Sequence, residues 1–185
     1  MDGCDIFAIT GIDGDNRAGV NLLEPFLDIV HFLSYDRSIS FVENANAMRD
    51  KIITSHSTDV VLIGWSIGGA MALCLAELEY CKKCISINSF FNRRQYLLSR
   101  NIFIDDDDDF CADRLNLHDK DIMIIAGGSD ERIPYTNSIQ IYDCLKQKNN
   151  VTLSVFSNLR HSVASFSETA KKTISMFIHD SKETL

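Results

Sequence analysis

The sequence predicts an α/β protein: a sheet of about six mostly parallel strands with helices on both faces. Three observations predict it. Short Ile- and Val-rich runs recur along the chain, and segments of helical period stand between them. The 185 residues, 45% of them hydrophobic, are enough for one domain with a sizeable core. Strands buried on both faces read as continuous apolar runs, and strand alternating with helix leads to a parallel sheet with right-handed crossovers.

The strands in order are Asp5–Thr10, Asp28–Leu33, Asp59–Gly64, Lys83–Asn88, Asp121–Ala126 and Val151–Phe156. Phe41, Ala45, Met48 and Ile52 fall on one helical face between the second and third. The third strand runs through Gly64-Trp65-Ser66-Ile67-Gly68-Gly69 into Ala70–Tyr80, a good helix sequence. Tyr135, Ile139, Tyr142 and Leu145 repeat the helical pattern behind Pro134, which suits a first turn. Val163, Phe166, Ala170, Ile174 and Phe177 mark the last helix. After the fourth strand the rhythm breaks. Residues 89–118 hold the helix-like Asn92–Arg100 and the aspartate run Asp105–Asp109, and no clean strand. A long excursion inside a compact domain is a functional cover or a disordered loop. We read this one as a short lid-like insert within a single domain spanning 1–185, and the aspartate run as an exposed, mobile loop.

A formal charge of −8 argues against general binding to nucleic acid or anionic membrane. No apolar stretch reaches the roughly eighteen residues that span a bilayer, and the N-terminus lacks the basic start and apolar run of a signal peptide. A cytoplasmic protein with six reduced cysteines is expected. Cys81 and Cys84 form a CxxC, but no second pair stands at zinc-ligand spacing, so neither a metal nor a cofactor is expected.

The G-x-S-x-G at residues 64–68 stands where strand turns into helix, the setting that gives the pattern its chemistry. So sharp a turn strains the serine backbone and lifts Ser66 above the carboxyl edge of the sheet. It also aims the following N–H, that of Ile67, and the positive end of the helix at the space above. A serine hydroxyl needs a base to become a nucleophile, and an imidazole needs an acid to hold its tautomer. His161, in Ser157-Asn158-Leu159-Arg160-His161-Ser162, is the histidine at the carboxyl end of a late strand. His31 lies within a strand, His56 and His118 precede strands, and His179 is near the C-terminus. Asp130 follows the fifth strand in Gly127-Gly128-Ser129-Asp130-Glu131-Arg132-Ile133-Pro134. Glu131 is the competing acid, and Asp130 also reads as a turn residue or helix cap. Ser66, Asp130 and His161 are thus the candidate catalytic residues. The loop after the first strand, Gly11-Ile12-Asp13-Gly14-Asp15, offers the Ile12 N–H as the second oxyanion donor beside Ile67; without a following G-K-[ST] it is not a phosphate loop.

Serine elbow, later acid and later histidine, in that order over nearly the whole chain, resemble the α/β-hydrolase superfamily. The resemblance implies a minimal α/β-hydrolase fold, since the superfamily usually has additional strands ahead of the oxyanion loop. Many members show His-Gly in that loop, where this chain has Thr10-Gly11. The elbow is similar to that of the pimeloyl-[acyl-carrier-protein] methyl ester esterases, and to small thioesterases and carboxylesterases. That likeness implies a serine hydrolase acting on an ester or thioester of a small to medium acyl group, with Trp65 near the substrate. It also implies that Arg93, Arg94 and Arg100 dock an acyl carrier protein. Read from charge alone, the same arginines are a solvated helix face. An acyltransferase with the same three residues, a peptidase, and a non-catalytic binding module on the hydrolase scaffold remain alternatives.

Overall fold

Six strands form one sheet in the order β2-β1-β3-β4-β5-β6, and every pairing is parallel. The structure is a computed structural model that describes residues 4–12, 14, 16–103 and 109–179. The strands are β1 (Cys4–Ile9), β2 (Val30–Leu33), β3 (Asp59–Trp65), β4 (Cys81–Ile87), β5 (Asp121–Gly127) and β6 (Asn150–Phe156). The helices are α1 (Arg17–Leu22), α2 (Phe41–Thr54), α3 (Ile67–Leu75), α4 (Arg93–Ser99), α5 (Thr136–Leu145) and α6 (Glu168–His179). Successive strand residues point to opposite faces, which divides the core in two. Phe7 and Ile9 of β1 and Leu62 of β3 pack under α2, α3 and α5. Ile6 and Ala8, with Val61 and Ile63, pack under α1 and α6. The expected fold class is the observed one. Among the described residues no helix is long and apolar enough to cross a membrane.

Four local expectations are corrected. The second strand starts at Val30, because a 3₁₀ turn over Glu24–Ile29, opened by Pro25, takes up its first residues. α3 stops at Leu75 rather than Tyr80: Leu78 N–H bonds back to Leu75 C=O and Cys81 N–H to Leu78 C=O, turning the chain into β4. α5 buries Ser138, Ile141 and Leu145, while Tyr135 is 44% exposed, so its inner face is rotated from the tyrosine-bearing one. A tyrosine keeps its hydroxyl wet more cheaply than it buries it unpaired. Val163 and Phe166 are buried but precede α6, whose first turn is capped by Ser167 Oγ accepting the Ala170 N–H at 3.3 Å.

The segment between β4 and β5 is stitched closed at its base. Asn92 and Cys111 form an isolated antiparallel bridge, Arg93 N–H donates to Phe110 C=O, and Ala112 N–H donates to Phe91 C=O. Of the aspartate run expected to be exposed, only the last residue is among the described ones, and it is not exposed: Asp109 is 2% exposed at its side chain and pairs with Arg93 Nη1 at 2.8 Å, while 105–108 lie outside the described residues. The ion pair and the Phe110 N–H both fall on Asp109 Oδ1, and the opposite charge of Arg93 offsets part of the cost of burying the carboxylate.

Strand order reverses direction between β1 and β3. β2 lies on one side of β1 and β3 on the other, so a crevice opens beyond the carboxyl ends of this pair. Two glycines let the β3–α3 turn sit there. A Cβ on Gly68 would come within 2.3 Å of the Ile9 carbonyl oxygen, and one on Gly64 within 2.0 Å of the Gly68 carbonyl oxygen. Backbone thus touches backbone under the turn. Gly11 differs, because a Cβ there meets the Trp65 and Ser66 side chains at 3.4–3.5 Å, an ordinary contact.

Gly68→Ala is therefore expected to lower stability by about 1–3 kcal/mol in urea unfolding, while Gly11→Ala stays near wild type. Equal behaviour of the two would mean that the β1–α3 contact yields easily. A second expectation concerns β4. Burial raises the Cys81 thiol to about 12 and also pushes that of Cys84 well above its ordinary range. With thiolate scarce and both side chains inside, neither should react with a disulfide reagent at pH 8 until the protein is unfolded. Rapid native labelling of either would show that this CxxC is open to redox chemistry.

Candidate active site

Ser66 occupies the turn between β3 and α3 with φ 59° and ψ −126°, a conformation that side chains rarely adopt and that costs about 1–3 kcal/mol. Its N–H donates to Ile87 C=O at 2.9 Å, which ties the turn to β4. Ile67 is the first residue of α3 and is buried, so the serine stands at a helix N-terminus, as the sequence predicts.

His161 reaches Ser66 from the loop after β6. Its Nε2 lies 3.0 Å from Ser66 Oγ, and its Nδ1 lies 2.9 Å from Asp130 Oδ2. An ionised carboxylate only accepts, so Nδ1 carries the proton and Nε2 is left to accept from the serine hydroxyl. The side chains of His161 and Asp130 are 11% and 1% exposed, so the bond between them is shielded from water. Asp130 Oδ1 accepts the backbone N–H groups of Arg132 and Ile133 at 2.8 and 2.9 Å, leaving Oδ2 for the imidazole. Of the two acids that the sequence leaves in competition, Asp130 bonds the histidine, while Glu131 is exposed at the rim.

The loops carrying Asp130 and His161 are laced together beyond the ends of β5 and β6. Gly128 N–H donates to Phe156 C=O, Ser129 N–H to Leu159 C=O, and Ser129 Oγ to Ser157 C=O. Their crossing needs a glycine: a Cβ on Gly127 would stand 2.4 Å from the Leu159 carbonyl oxygen. The helix of the insert supports the same loop from the other side. Tyr96 Oη and Arg100 Nη2 both donate to the Arg132 carbonyl, at 2.7 and 2.8 Å, and the Arg100 guanidinium lies over the Tyr96 ring.

Ser66 and His161 open into a cavity of about 270 Å³ shared with Ile12, Ala18, Trp65 and Arg132. No residue of 89–118 is among the described residues lining it. Trp65 is 7% exposed and packs inward against Gly19, so an indole edge forms part of the wall. Ile12 sits at the mouth, with its carbonyl held by Arg37 Nε at 2.7 Å; Asp13 and Asp15 of the same loop lie outside the described residues. The three arginines of the insert do not gather at this mouth. Arg93 pairs with Asp109, Arg100 bonds the Glu131–Arg132 backbone, and Arg94 is the neighbour of Arg93 in the first turn of α4.

One residue close to this constellation escaped the sequence reading. Asn88 was expected only to end the fourth strand. It is 2% exposed with φ 47°, and its side chain spans the loops of Asp130 and His161, accepting from Gly127 N–H and donating to the carbonyls of Arg160 and His161. The available signal was its type: asparagine tolerates left-handed backbone better than other side chains.

The chain matches the prolyl oligopeptidase family (Peptidase_S9) over residues 26–180. None of the curated proteins is a significant match. Among solved structures, the Pyrococcus furiosus esterase Pf2001 superposes with a TM-score of 0.75 at 15% identity, covering 95% of this chain and 82% of that one. Mouse alpha/beta hydrolase domain-containing protein 10 gives 0.71 at 13% identity, with 97% and 89% covered. Arabidopsis thaliana SOBER1 gives 0.63 at 17% identity, with 95% and 97% covered. At such identities the likeness speaks for the fold. With the family match spanning most of its length, the chain belongs to the prolyl oligopeptidase family of α/β-hydrolases.

Proposed function

We propose that this hydrolase cleaves a carboxylic ester or thioester of a small to medium acyl group, through an acyl-enzyme on Ser66. The observation that carries the reading is the unbroken hydrogen-bond chain from Ser66 through His161 to Asp130, beginning at a strained residue on a helix N-terminus. In the first half-reaction Ser66 Oγ attacks the acyl carbonyl carbon as His161 Nε2 takes its proton. The negative charge collects on the carbonyl oxygen, where the N–H groups of Ile67 and Ile12 receive it. The bond to the leaving group breaks, and the alcohol or thiol departs with the proton from Nε2. Water then gives its proton to His161 and attacks the acyl-serine; Ser66 Oγ recovers the proton, and a carboxylic acid leaves. Asp130 stabilises the imidazolium formed in each half. None of these steps calls for a cofactor.

The cavity's about 270 Å³ lies below the range of pockets for drug-sized ligands, which supports a short acyl group against the Trp65 wall. An acyl group delivered on an acidic carrier is the finer form of the reading. Within it, Arg93 and Arg100 would have to exchange bonds inside the chain for bonds to the carrier, which favours a free ester. We place the reaction in the cytoplasm, in keeping with six free thiols. The family match favours peptide cleavage as the second reading.

One panel separates these readings: p-nitrophenyl esters and acyl thioesters of increasing chain length, peptidyl amides, and competing alcohol or amine acceptors. Ser66→Ala is expected to reduce ester turnover by about 10⁴–10⁶-fold and to abolish labelling by a fluorophosphonate. Equal turnover by both proteins would remove Ser66 as nucleophile. Amide turnover exceeding ester turnover would make this a peptidase, and transfer to an added acceptor in place of water would make it an acyltransferase. Failure of the wild type to label at all would leave a binding module on a hydrolase scaffold.

A further inference from the structure

We propose that Asn88 is a positioning residue that holds His161 in line between Ser66 and Asp130, an inference that rests on the catalytic reading above. The lacing between the two loops, through Gly128, Ser129 and the carbonyls of Phe156, Ser157 and Leu159, reaches only as far as Leu159. The next two residues, the second of them the base itself, are held by Asn88. Its Nδ2 donates to Arg160 C=O at 2.9 Å and to His161 C=O at 3.1 Å. Its Oδ1 accepts Gly127 N–H at 2.7 Å, and its own N–H donates to Ile125 C=O at 2.9 Å. Gly127 lies three residues before Asp130 at the end of β5. A single buried amide therefore fixes the backbone of the histidine to the stem of the loop that carries the acid.

The chemistry admits few other residues. Two carbonyls need N–H donors and one N–H needs an acceptor, which also settles which way the amide faces. The φ of 47° penalises other side chains, whereas asparagine and glycine accept it. Aspartate would keep the shape and the acceptor but turn a carboxylate oxygen toward two carbonyl oxygens. Glycine would keep the backbone and lose all three side-chain bonds. Displacing a general base by about 1 Å costs on the order of 10²-fold in rate, so the clamp should show in kcat.

The test compares Asn88→Gly and Asn88→Asp with wild type on the best ester of the panel, with each kcat referred to the folded fraction from urea unfolding. The expected result for both is a kcat lower by about 10²-fold with KM changed by less than about 3-fold, since substrate binding is untouched. A variant that loses stability but keeps its kcat per folded molecule would make Asn88 a structural residue and overturn the proposal. A second readout needs no turnover. In a Ser66→Ala background, the proton between His161 and Asp130 should give a downfield NMR signal that Asn88→Asp, the isosteric change, broadens or abolishes. Persistence of that signal unchanged would also overturn the clamp. If no ester is turned over by the wild type, the catalytic reading fails by itself, and the NMR arm still decides whether Asn88 orients the imidazole.

Discussion

Under Ser66 two backbones meet without side chains between them. Gly68 of the elbow rests on the carbonyls at the end of β1, and Gly64 rests on Gly68 itself. Much of the site follows from that contact. It draws the N-terminus of α3 down onto the sheet at the crevice between β1 and β3, where strand order reverses and a ligand can enter. It forces the residue at the apex to a positive φ, so that Ser66 projects beyond the sheet rather than lying along it. It also brings the loop after β1 beside the serine, with Ile12 at the mouth of the cavity. The cost of the strained serine is offset by the buried α3, whose residues are enclosed by the core nearly throughout.

The other two members of the constellation arrive from strands far along the chain, and neither is placed by its own strand alone. Asp130 is anchored by the N–H groups of Arg132 and Ile133, whose shared stretch is in turn held by Tyr96 and Arg100 of the insert. His161 is anchored through Asn88 and through the lacing at Ser129. The insert therefore bears on the loop of Asp130 from its outer side, where Arg100 and Tyr96 act as hydrogen-bond donors. With Arg93 on Asp109 and Arg100 on two carbonyls, two of the three guanidinium groups of this stretch are engaged inside the chain. An amino-acid count sees three arginines in eight residues and reads a basic face; the fold spends two of them on its own backbone and its own carboxylate.

Pattern reading succeeded where a single periodicity governs a segment. The central strands β1, β3 and β5 are apolar and buried over most of their length because both of their faces are covered, whereas the edge strands β2 and β6 are only partly buried; α2 shows its inner face as Phe41, Ala45, Met48 and Ile52, all buried. It failed where two influences compete. In α5 a tyrosine stripe looks apolar, but the helix turns Ser138, Ile141 and Leu145 inward. Before α6 the spacing of Val163 and Phe166 mimics a further helical turn, while Ser167 starts the helix later. Asp109 counted as one more charge in an acidic run and is buried, because its partner sixteen residues earlier lies beside it only after the segment has closed on itself.

The sequence by itself determined the α/β class, the order of serine, acid and histidine, and their places just beyond strand ends. These follow from local patterns: apolar runs, helical spacing, and glycines on either side of a serine at a strand-to-helix turn. Only the tertiary structure decided that Asp130 rather than Glu131 meets the imidazole, that Arg100 of the insert bonds the backbone of the loop carrying Asp130, and that Asn88 joins the loops of Asp130 and His161. Each of those outcomes depends on groups tens of residues apart meeting at hydrogen-bond distance, and no local pattern encodes the separation of two loops in space.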